Sequence, residues 1–199
     1  FFEREMAART PLLNGLVLAG GRSQRMGRDK SQLNWHGKPQ REHVADLLRP
    51  FCEDVLVSCR PEQAADLSAA YPALPDTFVD LGPYGAILSA FRAQPDRAWL
   101  VVACDLPLLD AATLDFLVKE RQPKHLATAF VSPRDQMPEP LIAIWEPKSY
   151  PELLAFLGQG YSCPRKVLLN TDSHCVAAPN PAALSNANTP EDLQQLGLG

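Results

Sequence analysis

No apolar stretch in the chain approaches the length that spans a membrane, so a transmembrane helix is excluded. There is no C-x-x-C pair either. The five cysteines, Cys52, Cys59, Cys104, Cys163 and Cys175, stand singly. Most lie in apolar runs, so they read as buried, reduced thiols and not as a disulfide framework. The four histidines, His36, His43, His125 and His174, are not at ligand spacing, which argues against a structural zinc site. Positive charge is not in excess: the net charge is −4 over 199 residues, which argues against a general nucleic-acid role. Internal repeats, low-complexity tracts and a signal-peptide pattern are missing as well. Together with the thiol usage, these absences lead us to expect a cytoplasmic protein that engages no membrane.

What is present is an alternation of strand-like and helix-like runs. That pattern predicts an α/β fold of three layers, αβα, around a mostly parallel, Rossmann-like sheet. Strands are expected at Leu16–Ala19, Val55–Ser58, Trp99–Ala103, Leu126–Ser132 and Leu141–Trp145. Trp99–Ala103 is continuously apolar and therefore central. Helices are expected within Pro39–Cys52, where Val44, Leu47, Leu48 and Phe51 form one stripe, and at Gln63–Ala70, Gly85–Ala93, Ala111–Arg121, Ser149–Leu157 and Cys163–Leu169. Thr189-Pro190-Glu191 has the residues of a helix start. The 19 prolines, about twice the usual share, fall mostly between these elements and punctuate them. Residues 1–13 carry no strand period. They read as an extension or a linker, and residues 14–199 as a single domain.

The most informative stretch is Leu16 to Lys30. The apolar run Leu16–Ala19 breaks into Gly20, Gly21 and Gly27 with Arg22, Arg25, Arg28 and Lys30 among them. Glycines let backbone N–H groups approach an anion, and the cations add full charge. Lys30 is a compact point charge suited to a phosphate. Five residues separate Gly21 from Gly27, which is not Walker spacing, and no G-x-G-x-x-G is present. A basic surface turn without a ligand is the plainer reading. The strand-like run leading into the loop favours the phosphate one.

Asp105 follows the central apolar run. Ligands of open α/β sheets bind beyond the carboxyl ends of strands, and parallel strands would bring Asp105 and the loop to one edge. Asp105 reads either as a turn cap before Leu106-Pro107 or as a carboxylate for Mg²⁺. The phosphate loop favours the metal reading, and the two then form a nucleotide–metal site. Weaker signals are Asp76 with Gly82-Pro83-Tyr84-Gly85, and Asn186-Ala187-Asn188. The first allows backbone contact with a base or ribose; the second puts two amides on one side of an extended segment. Each also suits ordinary turns and caps.

The run Leu18-Ala19-Gly20-Gly21-Arg22-Ser23-Gln24-Arg25-Met26-Gly27-Arg28-Asp29-Lys30 closely resembles the signature of the MobA-type molybdenum cofactor guanylyltransferases. These lie within the nucleotidyltransferase superfamily of glycosyltransferase-A-like fold. The resemblance continues through Gly37-Lys38-Pro39, Asp76, Gly82-Pro83, Cys104-Asp105-Leu106-Pro107, Pro138-Glu139-Pro140-Leu141 and Asn186-Ala187-Asn188-Thr189-Pro190. It implies transfer of GMP from Mg-GTP to molybdopterin carrying molybdenum, with release of pyrophosphate. By that likeness Leu18, Ala19, Gly20, Gly21, Ser58, Asp76 and Gly82 line the nucleotide site. Arg25 and Lys30 act on its phosphates, Asp105 holds Mg²⁺, and Asn186 and Asn188 lie on the pterin side. Molybdoenzymes or cofactor-delivery proteins are the partners such a product implies.

The chain departs from the family in two places. Ser58 stands where the family usually has an asparagine that contacts the nucleotide. Met137, not histidine, precedes Pro138. Two other readings stay open at this point. One is a related nucleotidyltransferase, acting with CTP on molybdopterin or on a sugar phosphate or isoprenoid precursor. The other is a non-catalytic nucleotide-binding domain. The Leu-Ala-Gly-Gly run favours the guanylyl type.

Overall fold

A computed structural model of the chain describes residues 10–19, 34, 36–187 and 192. The glycine-rich loop from Gly20 to Lys30, with Arg25, and the segment Asn188-Thr189-Pro190-Glu191 lie outside these residues.

Seven strands form one sheet: β1 (Leu13–Leu18), β2 (Val55–Cys59), β3 (Ala73–Pro75), β4 (Ala98–Ala103), β5 (Ala127–Val131), β6 (Pro138–Trp145) and β7 (His174–Ala177). Their order is β3-β2-β1-β4-β6-β5-β7. β6 is antiparallel to both its neighbours, and the other pairings are parallel. β4 is buried along its whole length, as its unbroken apolar run predicts.

Side chains alternate between two cores. Val17, Val57, Leu100 and Val102 point to one face, where Val44 and Leu48 of α1 (Gln40–Leu48) and Leu114 and Leu117 of α3 (Ala111–Lys119) cover them. Leu16, Trp99, Val101 and Trp145 point to the other. There Tyr84, Ile87 and Phe91 of α2 (Pro83–Ala93), Leu153 of α4 (Ser149–Gly158) and Val167 of α5 (Pro164–Asn170) close the layer. The result is the expected αβα arrangement. Among the described residues, no helix is long and apolar enough to cross a membrane.

Several expectations are corrected. β1 starts at Leu13, because Gly15 and Asn14 belong to the strand. A Cβ on Gly15 would stand 3.2 Å from Val55 of β2 and 3.4 Å from Leu48 of α1, so the small residue fits a tight contact with both. Gln63–Ala70 is not an α-helix: a short 3-10 helix covers Pro61–Asp66, and Leu67 is already extended. β6 runs through Pro138 and Pro140 and so starts three residues before the expected Leu141. β3 and β7 are absent from the sequence reading. They are short outer strands, and β3 ends in a proline, which outer strands tolerate. None of the five cysteines is in a disulfide, but Cys163 and Cys175 are exposed and Cys52 is half-buried, so only Cys59 and Cys104 are buried as expected.

Candidate functional site

Strand order reverses at β1: β2 and β3 lie to one side, β4 to the other. Such a switch point opens a crevice at the carboxyl ends of the strands. The register places the exits of four strands side by side. Leu18 pairs with Ser58 and with Ala103, and Ser58 pairs with Leu74. Asp76, Ser58, Ala19 and Asp105 therefore follow one another along a single edge. At about 4.8 Å per strand, the exits of β3 and β4 lie ~14 Å apart along that edge. The chain enters the cationic, glycine-rich loop between them, directly after Ala19.

Asp105 leaves β4 into a turn in which Leu109 N–H bonds to the Leu106 carbonyl at 3.2 Å. Two distant segments hold it. Asn186 Nδ2 donates to Asp105 Oδ2 at 3.2 Å. Ala187 N–H donates to the Asp105 carbonyl at 2.9 Å. His36 Nε2 donates to the Pro107 carbonyl at 3.0 Å, and its ring stacks on His43 with centroids 3.9 Å apart. The turn is thus clamped from the segment before α1 and from the C-terminal segment. Asn186, expected with Asn188 at a pterin site, is joined directly to the carboxylate expected to hold a metal.

Asp76 follows β3. Its N–H donates to the Cys59 carbonyl at 3.0 Å, and Ser58 Oγ donates to its Oδ1 at 2.8 Å. Burial pushes the Asp76 carboxyl above its usual value, and the Ser58 hydrogen bond pulls it part of the way back. Ser58 itself is only 1% exposed. Its carbonyl accepts the Ala19 N–H at 3.1 Å, which ties β2 to the start of the glycine-rich loop.

The segment after Asp76 is clasped to α2. Ser89 Oγ accepts from the N–H groups of Thr77 at 2.9 Å and Phe78 at 3.3 Å, and donates to the Gly85 carbonyl at 2.7 Å. Gly85 lies so close that a Cβ there would stand 2.1 Å from the Phe78 oxygen. Gly82 has φ 56° and ψ −136°, a conformation open essentially to glycine alone. It turns the chain into α2 with Pro83 at the first helical position.

Two clusters thus stand on one edge, Asp105 with Asn186 and Asp76 with Ser58. The entry to the glycine-rich loop lies between them. Gly20, Gly21, Arg25, Lys30 and Asn188 lie outside the described residues. Sequence reading missed His36 and Ser89. Ser89 leaves a signal, a lone hydroxyl inside the apolar helix Ile87-Leu88-Ser89-Ala90-Phe91; His36 leaves none.

Among the described residues, no group of three or more His, Cys, Asp or Glu side chains is placed to hold a metal. A protein-enclosed metal centre therefore does not fit among these residues. A single carboxylate does fit magnesium carried in by a nucleotide, since that ion keeps waters and phosphate oxygens as its other ligands.

The MobA-like NTP transferase domain family matches residues 15–175 of the chain. A molybdenum cofactor guanylyltransferase of Xanthomonas euvesicatoria is 38% identical over 190 residues, covering 92% of this chain and 93% of that protein. A molybdenum cofactor biosynthesis bifunctional protein of Synechocystis is 33% identical over 190 residues; the match covers 95% of this chain but 54% of that longer protein. Among solved structures, the molybdopterin-guanine dinucleotide biosynthesis protein A of Archaeoglobus fulgidus superposes with a TM-score of 0.76 at 26% identity, covering 92% of this chain and 95% of that one.

Proposed function

The chain belongs to the MobA-like NTP transferase family, and from that premise we propose that it is a guanylyltransferase that moves GMP from GTP to molybdenum-bearing molybdopterin and releases pyrophosphate. One observation carries the reading: Asp105 stands on the sheet edge beside the exit of β1 into a loop with three glycines and four cations. The named relatives support the choice of nucleotide and acceptor.

The edge suits a whole nucleotide. Its ~14 Å span is too long for a lone phosphate and long enough for a nucleoside with its phosphate chain. The nucleoside lies toward Asp76 and Gly82, and the phosphates toward Leu18, Ala19 and the loop. The acceptor is a phosphate monoester, largely ionised at neutral pH, so no protein base is needed. Its oxygen attacks the α-phosphorus of GTP, the bond to the β-phosphate oxygen breaks, and pyrophosphate leaves. Catalysis then rests on alignment and charge neutralisation. Lys30 and Arg25 neutralise the leaving pyrophosphate. Asn186 holds the Asp105 carboxylate in place, and the family likeness assigns Asn186 and Asn188 to the acceptor. Magnesium, when bound with the nucleotide at Asp105, withdraws charge from the phosphates.

We take residues 14–199, together with Leu13 at the start of β1, as the nucleotidyltransferase unit and the residues before them as an extension. Five cysteines outside any disulfide fit a reducing compartment such as the cytoplasm. Molybdoenzymes are the consumers that the product implies.

The test is pyrophosphate release from each nucleoside triphosphate, with Mg²⁺ and molybdopterin. GTP is expected to support release, and Lys30→Ala to slow it by orders of magnitude. Preference for CTP would reassign the chain to a cytidylyl enzyme. No release with any nucleotide would leave a binding domain.

A further inference from the structure

We infer that Ser58 is a positioning residue for the nucleoside, acting through the Asp76 carboxylate and not by direct contact. The inference rests on the nucleotide site proposed above.

Ser58 sits one residue from the end of β2, paired on both sides. At 1% exposed, its hydroxyl has no face toward the crevice. That hydroxyl is spent on Asp76 Oδ1 at 2.8 Å. The other carboxylate oxygen, Oδ2, makes no hydrogen bond among the described residues, while the Asp76 N–H is fixed on Cys59. The carboxylate is therefore held at three points, by its backbone, by its burial and by Ser58, with one acceptor left over. That acceptor suits a neutral donor of a nucleoside. The ribose 2′-hydroxyl and the exocyclic amine of the base share this chemistry.

The groups around Asp76 leave Ser58 as its main adjustable partner. On β2 the Cys59 thiol is pushed up to about 11, chiefly by burial, so it stays neutral. Arg41 of α1 and Glu62 of the turn after β2 act on that thiol with opposite signs. From α2 the contact is the uncharged Ser89 hydroxyl on Thr77 and Phe78. Burial raises the Asp76 carboxyl and Ser58 lowers it. Removing the hydroxyl therefore moves the loss of the ionised carboxylate to higher pH.

Equilibrium binding of Mg-GTP, 2′-deoxy-GTP and ITP across pH tests this, using the full chain and the variants Ser58→Ala, Ser58→Thr and Asp76→Asn. Losing a hydrogen bond to a charged group predicts a tenfold to hundredfold weaker Kd for GTP in Ser58→Ala. Ser58→Thr is expected to stay within about threefold of the parent. The acid limb of the binding profile shifts to higher pH in Ser58→Ala. The penalty shrinks for whichever analogue lacks the group that Asp76 holds: deoxy-GTP if it is the 2′-hydroxyl, ITP if it is the base amine. A Ser58→Ala variant with parental Kd and an unmoved acid limb overturns the inference. So does an equal loss for all three nucleotides accompanied by a lower Tm, which marks a purely structural role. If the parent protein binds none of the three, the nucleotide reading itself fails and the inference falls with it.

Discussion

Gly85→Ala puts a methyl group where the structure has no room. The new Cβ would stand 2.1 Å from the Phe78 carbonyl oxygen, 3.2 Å from its carbon and 3.1 Å from Leu81 Cβ. Relief requires a movement of more than about 1 Å, since ordinary contacts lie near 3.5 Å. The obstacle is backbone, and Ser89 pins that backbone through the N–H groups of Thr77 and Phe78. Such overpacking costs about 3 kcal/mol. Alanine recovers about 1 kcal/mol as the better helix former. The net loss of about 2 kcal/mol corresponds to a Tm lower by ~4–8 °C in a chain of this size. The displaced loop carries Asp76, so GTP binding weakens as well. Gly158→Ala is the control: it lies in a helix with nothing within 4 Å of the added Cβ, and its Tm is expected to stay level or rise slightly. Thermal melting of the two variants, with GTP titration, is the assay. A Gly85→Ala protein that melts within about 1 °C of the parent and binds GTP normally refutes the reasoning.

Three further outcomes are expected of the same structure. Arg121 lies at 2.7 Å and 2.9 Å from the two oxygens of Glu146, which is 1% exposed, and also reaches the Pro11 carbonyl. Arg121→Ala leaves that carboxylate buried and unpaired, at a cost of about 3–5 kcal/mol in denaturant melts; a loss below about 1 kcal/mol would contradict this. Gln40 is fully buried at the start of α1, and neither amide atom has a hydrogen bond among the described residues. Gln40→Leu is expected to stabilise the fold by about 1–3 kcal/mol, raising Tm, whereas a fall in Tm would show that the amide is satisfied. Asp105→Asn is expected to cut pyrophosphate release at least a hundredfold with circular dichroism unchanged, and near-parental turnover would remove Asp105 from the site.

The layers were legible because they follow from period. Unbroken apolar residues from Ala98 to Ala103 can only be a strand buried on both faces. The loop announced itself through glycines and cations packed behind such a run. The short outer strands were not legible: three residues ending in Pro75 carry no period to read. Neither were the partnerships at the site. Asn186 meets Asp105 from 81 residues away, and Ser58 meets Asp76 from 18 away. Each pair is set by where the chain returns to the sheet edge, which no local pattern encodes. Ser58 stood out in the sequence as a short residue in place of a longer amide. The structure supplies the carboxylate that its hydroxyl holds.

The account turns on which phosphorus is attacked, and radiolabelled GTP reports that directly. With molybdopterin, Mg²⁺ and the full chain, label at the α-phosphate is expected to appear in the acceptor, in a product heavier by one GMP. Label at the γ-phosphate is expected to leave in pyrophosphate. Transfer of the γ-label to the acceptor, or no transfer of the α-label, would contradict the account.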